Sequence, residues 1–169
     1  MTEDDLIYTK EVVEYFNVKM SDLLMKMVYP GVLTCFLATG DKFYEHLTNI
    51  ARNSATTLLK IKIPKSNNLK TIVKHLMKLW GTKYKVKLKK DMLILSTKHC
   101  MLCQGMPEID LREYHYCEIV GLFLESFLNE LRKYKNPKKF KYSEFSITTT
   151  KSMGCGDEKC EYIIKFSKI

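Results

Sequence analysis

The chain is poor in arginine. Of 28 basic residues only Arg52, Arg112 and Arg132 are arginine, and the rest are lysine. Proteins that read base edges rely heavily on arginine. The net charge of +9 therefore reads as a solvated lysine surface, with no specific nucleic-acid partner. Long apolar runs are also lacking. The longest uncharged stretch, Met27 to Gly40, is too short to cross a bilayer and is broken by Pro30-Gly31, so no membrane span is expected. The glycines never fall into Gly-x4-Gly-Lys-Ser/Thr or Gly-x-Gly-x-x-Gly, which removes the usual phosphate cradles. No Gly-x-Ser-x-Gly elbow occurs, and no His and carboxylate motif suggests a catalytic metal. The expectation is a binding domain and not an enzyme. The opening Met1-Thr2-Glu3-Asp4-Asp5 is acidic, unlike a signal peptide. A cytoplasmic compartment is expected, where thiols stay reduced.

What the chain does have is cysteine in a pattern. Five of its six cysteines fall in two stretches, Cys100-Met101-Leu102-Cys103 with Cys117, and Cys155 with Cys160. Thiols two to four residues apart can turn back onto one ion, and zinc takes four such ligands in a tetrahedron. Any single cysteine could instead be a small core residue, and Cys-x2-Cys could be a redox pair. The metal reading is preferred because these cysteines lie beside glycine and charged residues, with His99 adjacent. The candidate ligands are Cys100, Cys103, Cys117, Cys155 and Cys160, with His99 as a further donor. The expected cofactor is structural zinc (Zn). Cys35, inside an apolar run, reads as a core residue.

The 169 residues, 46% hydrophobic, suit one domain over residues 1–169 with a sizeable core. Helical spacing appears over residues 5 to 27. It appears again after Asp41, through Phe43, Leu47, Ile50, Ala51, Ser54 and Leu58. A third helix follows a Ser66-Asn67-Asn68 cap, with Leu69, Ile72, Val73, Leu76 and Trp80 on its face and Gly81 as its stop. The period then changes. Tyr84, Val86 and Leu88 alternate with lysines, as in a strand with one wet face. Lys90-Asp91 turns the chain into the strand Met92 to Leu95. Glu118 to Tyr134 is the clearest helix. Cys117 sits at its start, where the positive dipole end favours a thiolate. Phe140 to Thr149 and Cys160 to Phe166 form a second hairpin. This order gives an α+β domain: N-terminal helices packed on an antiparallel sheet of two hairpins, with a long helix between them.

Cys117-x3-Gly121 entering a long helix, then Gly156-Asp157-x2-Cys160-Glu161-Tyr162, resembles the 4-vinyl reductase domain, also called the hydrocarbon-binding domain. The resemblance extends over most of the chain and is nearest to small stand-alone archaeal members. It implies a small-molecule sensor or carrier with a zinc-stabilised lower half and an apolar cavity between helices and sheet. It also implies a fold similar to TRAPP tethering subunits and haem nitric-oxide-binding domains. Cys117 and Cys160 match the family's ligand positions. Where the family carries a further cysteine this chain has Ser152, and where it carries a glutamate this chain has Thr149. Cys155, with Cys103 or Cys100, would fill the gaps.

Two functions are consistent with this reading. One is a regulatory domain binding a hydrophobic or aromatic small molecule. Phe43, Leu47, Ile50, Trp80, Phe123 and Phe127 would wall its pocket, although each alone is more simply a core residue. The other is a scaffold module that forms a homodimer through helix faces, as TRAPP subunits do.

Overall fold

A computed structural model describes residues 28–61, 63–79, 83–104 and 114–168. The helix expected over residues 5 to 27, and Trp80 with Gly81, lie outside these residues. The described part holds four α-helices: α1 (Tyr29–Leu37), α2 (Phe43–Ile61), α3 (Leu69–Leu79) and α4 (Glu118–Leu131). Four strands accompany them: β1 (Lys85–Leu88), β2 (Met92–Thr97), β3 (Tyr142–Lys151) and β4 (Cys160–Lys168).

Pro30 does not interrupt structure as the sequence suggested. It stands in the first turn of α1, where a missing N–H costs nothing. Cys35 on this helix is exposed, not core. In α2 the residues Phe43, Leu47, Ala51, Ala55 and Leu59 recur every four positions and are all buried. Asn68 caps α3 as its position promised, its side-chain oxygen accepting the Thr71 N–H at 3.0 Å.

The strands form one antiparallel sheet in the order β1-β2-β4-β3, so the two hairpins meet through β2 and β4. In β2 alternate residues, Leu93, Leu95 and Thr97, are buried. In β3 the buried set is Phe145, Ile147 and Thr149, the phase read from the sequence. The first strand is shorter and less covered than its alternation suggested: Val86 is buried, but Leu88 is 50% exposed.

Helix α4 sits between the two layers. It packs against α2 and β3 and buries Val120, Phe123, Leu124, Phe127 and Leu128. Its half-buried side reaches the backbone of β3, which is an outer strand of the sheet. The Asn129 amide donates to the Phe145 carbonyl at 2.8 Å, and its oxygen accepts the Phe145 N–H at 3.2 Å. Glu125 accepts the Ile147 N–H at 2.7 Å. These bonds occupy groups that would otherwise be an open template for another strand. A bulge precedes them, with Glu144 at φ 51°. At the far end the Lys135 ammonium donates to the Ser66 carbonyl at 2.8 Å and to the Pro64 carbonyl, tying the end of α4 to the loop before α3.

Candidate metal centre

Three separate pieces of chain converge at one end of the sheet. Strand β2 ends at Thr97, which is paired with Cys160 at the start of β4. The chain leaving β2 is held close, with the His99 N–H donating to the Thr97 hydroxyl at 3.1 Å. It then turns sharply. The Cys103 and Gln104 N–H groups both donate to the Cys100 carbonyl, at 3.1 and 2.9 Å. That turn brings the second thiol back beside the first and sets both over Cys160. The fourth thiol comes from Cys117, at the N-cap of α4. Free N–H groups there carry partial positive charge, which favours a thiolate.

The sulfur atoms of Cys100, Cys103, Cys117 and Cys160 all lie within 4.8 Å of one another, and all four residues are buried. The Cys103 and Cys160 sulfurs are 3.5 Å apart. Zinc–sulfur bonds of ~2.3 Å in a tetrahedron would place the sulfurs ~3.8 Å apart, so the donor set fits such an ion.

A backbone N–H and a hydroxyl face the sulfurs. The Met153 N–H donates to the Cys160 sulfur at 3.3 Å. The buried Ser152 hydroxyl lies 3.6 Å from the Cys103 sulfur and 3.5 Å from that of Cys117. Ser152 is itself fixed by Asp157, whose carboxylate accepts the Ser152 N–H at 2.7 Å. The intervening turn Met153–Cys155 closes through Gly156 at φ 91°, a left-handed conformation that suits glycine. Gly154 makes a different demand. A Cβ placed there would meet the Tyr116 Cβ at 2.6 Å, so only glycine lets the turn approach Tyr116 this closely.

The thiols shift one another strongly. Hydrogen bonds from Cys103, Cys117 and Cys160 hold the Cys100 thiol far below its usual range. Hydrogen bonding to Cys100 and Cys103 pushes the Cys160 thiol far up, against the opposing contact with Cys117. Cys117 rises too, through its contacts with Cys100, Cys103 and Cys160. The Cys103 thiol is lowered as well, with its hydrogen bond to Cys100 opposing and those to Cys117 and Cys160 lowering it. Two of the four adjacent buried sulfurs thus accommodate negative charge readily and the other two only at high cost. A divalent cation removes that cost, since a coordinated thiol is deprotonated outright. Tyr162 closes one side, its hydroxyl donating to the Cys117 carbonyl at 3.3 Å. Tyr29 donates to the Tyr116 carbonyl at 2.8 Å. Burial, followed by the nearby Cys117 sulfur, raises the pKa of both hydroxyls.

The structure does not bring every expected donor here. Cys155 is exposed, and its sulfur points to the Tyr114 carbonyl at 3.7 Å. The short turn that presents Ser152 and Met153 to the sulfurs carries Cys155 outward. Cys155 is therefore corrected to a free surface thiol. His99 is exposed as well. Ser152 and the Met153 N–H are close neighbours of the sulfurs that spacing alone missed. Ser152 did carry one signal, since it stands where the resembled family has a cysteine.

Of the expected pocket residues, Phe43, Leu47, Phe123 and Phe127 are buried in the core between α2 and α4. Ile50 is corrected: it is 38% exposed, because it lies one residue off the four-residue repeat that faces α4. Trp80 lies outside the described residues. At the start of α4, burial holds the Glu118 carboxyl above the usual carboxylate range, against the opposing contact with the Thr149 hydroxyl.

No protein-family model matches the sequence, and no curated protein matches it. A solved structure does share the fold. It is a trafficking protein particle complex subunit 3 from Naegleria fowleri, covalently bound to palmitic acid. The two superpose with a TM-score of 0.67 at 16% sequence identity, over 89% of this chain and 97% of that one. The chain thus has a TRAPP-subunit-like α+β fold.

Proposed function

We propose that this chain is a non-enzymatic interaction module whose sheet and long helix are clamped together by a structural zinc ion. The observation that carries the reading is the buried group Cys100, Cys103, Cys117 and Cys160. Four protein thiolates fill a tetrahedral ion completely and leave no position for a substrate. Such an ion contributes folding energy and does no Lewis-acid work. Its ligands would come from the turn after β2, the N-cap of α4 and the start of β4, so it would join parts distant in sequence. The likeness to a subunit of a trafficking protein particle complex supports a scaffold role, and self-association through helix faces is the mode this reading expects.

A second reading rests on the palmitic acid carried by the structural neighbour. In it, the chain holds a hydrophobic or aromatic guest beside Phe43, Leu47, Phe123 and Phe127, as the resemblance to the 4-vinyl reductase domain implies. Native mass spectrometry of the purified chain separates the two. The module reading expects a dimer with one zinc per chain and no organic adduct. A zinc-loaded monomer retaining an organic molecule would favour the second reading, and a metal-free folded chain would refute the clamp.

A further inference from the structure

The two edges of the sheet are treated differently. Along β3, backbone groups of Phe145 and Ile147 are taken up by Asn129 and Glu125 of α4. Strand β1 forms the opposite edge. The hairpin fixes which of its backbone groups face outward. The Lys89 N–H donates to the Met92 carbonyl at 2.8 Å, and Lys87 and Lys85 pair with Ile94 and Ser96. In an antiparallel pair hydrogen-bonded and non-bonded positions alternate. Val86 and Leu88 therefore turn their N–H and C=O groups away from β2, and none of these groups has a hydrogen-bond partner among the described residues.

The side chains of this edge sort by face. Tyr84 lies 6.1 Å from the Tyr162 ring on the core face, and Val86 and Leu88 share its phase. Leu88 is 50% exposed, so this face has uncovered apolar surface at the edge. Lys85, Lys87 and Lys89 project from the other face and are exposed. None of them is in a salt bridge among the described residues.

We propose that β1 is a docking edge for an extended acidic segment of a partner protein, added as a fifth strand. The Val86 and Leu88 backbone groups supply its hydrogen bonds. Acidic side chains on the incoming strand stand opposite Lys85 and Lys87, and the alternate apolar ones cover Leu88. The lysines also select the occupant. A second copy pairing through this same edge would set lysine against lysine, which repels. Nucleic acid is disfavoured, since the edge offers no arginine and its one ring, Tyr84, is turned to the core. The inference is independent of the metal centre and of dimerisation.

The test uses the full-length zinc-loaded chain and a capped octapeptide alternating glutamate with valine. A lysine–valine octapeptide is the control. Amide NMR should show the acidic peptide shifting Val86 and Leu88 and slowing their hydrogen exchange about tenfold or more. Lys85→Glu with Lys87→Glu should exchange the preference for that of the control peptide while leaving melting unchanged. Leu88→Pro removes an outward N–H and should weaken binding without disturbing the β1–β2 bonds. Equal binding of both peptides, or binding unaffected by the charge reversal, would overturn the proposal. So would Val86 and Leu88 amides already protected in the free chain, whether by its own residues or by a second copy.

Discussion

Gly154→Ala tests the link between backbone packing and the sulfur cluster. The new methyl would lie 2.6 Å from the Tyr116 Cβ and 2.8 Å from its Cγ. Carbon atoms pack at about 3.5–4.0 Å, so roughly 1 Å of separation must be found. Tyr116 is fully buried and adjoins Cys117, so it has little freedom to retreat. The turn Met153–Cys155 must move instead. A shift of that size would stretch the Met153 N–H contact to the Cys160 sulfur, now 3.3 Å, beyond hydrogen-bond reach. It would also draw Ser152 away from the Cys103 and Cys117 sulfurs. Overpacking costs about 1–3 kcal/mol, and a lost hydrogen bond to a charged sulfur adds about 1 kcal/mol or more. The expected loss is therefore about 2–4 kcal/mol in the zinc-loaded protein, read by urea denaturation. Zinc release to a colorimetric chelator should become easier by about 10–100-fold, the usual effect of losing outer-shell partners. The reasoning fails if the variant unfolds at the wild-type urea concentration and releases zinc at the wild-type chelator concentration.

Replacing Cys100, Cys103, Cys117 or Cys160 singly with serine should abolish stoichiometric zinc and lower the melting temperature, whereas Cys35→Ser and Cys155→Ser should preserve both, measured by metal analysis and calorimetry. Asn129→Ala removes both bonds to Phe145 and should cost about 1–3 kcal/mol by chemical denaturation, with zinc content unchanged. The buried Tyr116 hydroxyl has no hydrogen-bond partner, so Tyr116→Phe should be neutral or stabilising by up to about 1 kcal/mol. Burial, and then the nearby Cys103 sulfur, push the Tyr116 pKa up to about 12, against about 10 in the unfolded chain. The folded state then binds more protons through that window, so wild-type stability falls as pH rises from about 10 to about 12. Tyr116→Phe should flatten that fall, and an unchanged alkaline slope in denaturant midpoints would count against the assignment.

Much of the architecture was written locally in the chain. The apolar repeat in α4, the Asn68 cap and the alternation of Phe145, Ile147 and Thr149 each depend on neighbours a few residues away. Such signals survive in a one-dimensional reading because helix and strand periods are set by backbone geometry. The alternation around β1 was legible too, but its half-open state was not, since exposure of Leu88 depends on what lies beside it. The cysteine pattern pointed to a cluster able to hold a metal ion, and named the four clustered thiols along with one too many. Spacing could not separate Cys155 from Cys160, because both lie within reach of the same turn. The separation came from tertiary packing. Close approach of Gly154 to Tyr116 fixes the turn so that Ser152 and Met153 face the sulfurs, and Cys155 is left on the outside. The same holds for Ile50, apolar and on the right helix, yet turned from the core by a single residue's rotation. Sequence determined which elements form and which residue types can hold an ion. The tertiary structure decided which of those residues meet, because burial and convergence are properties of chain segments far apart in sequence.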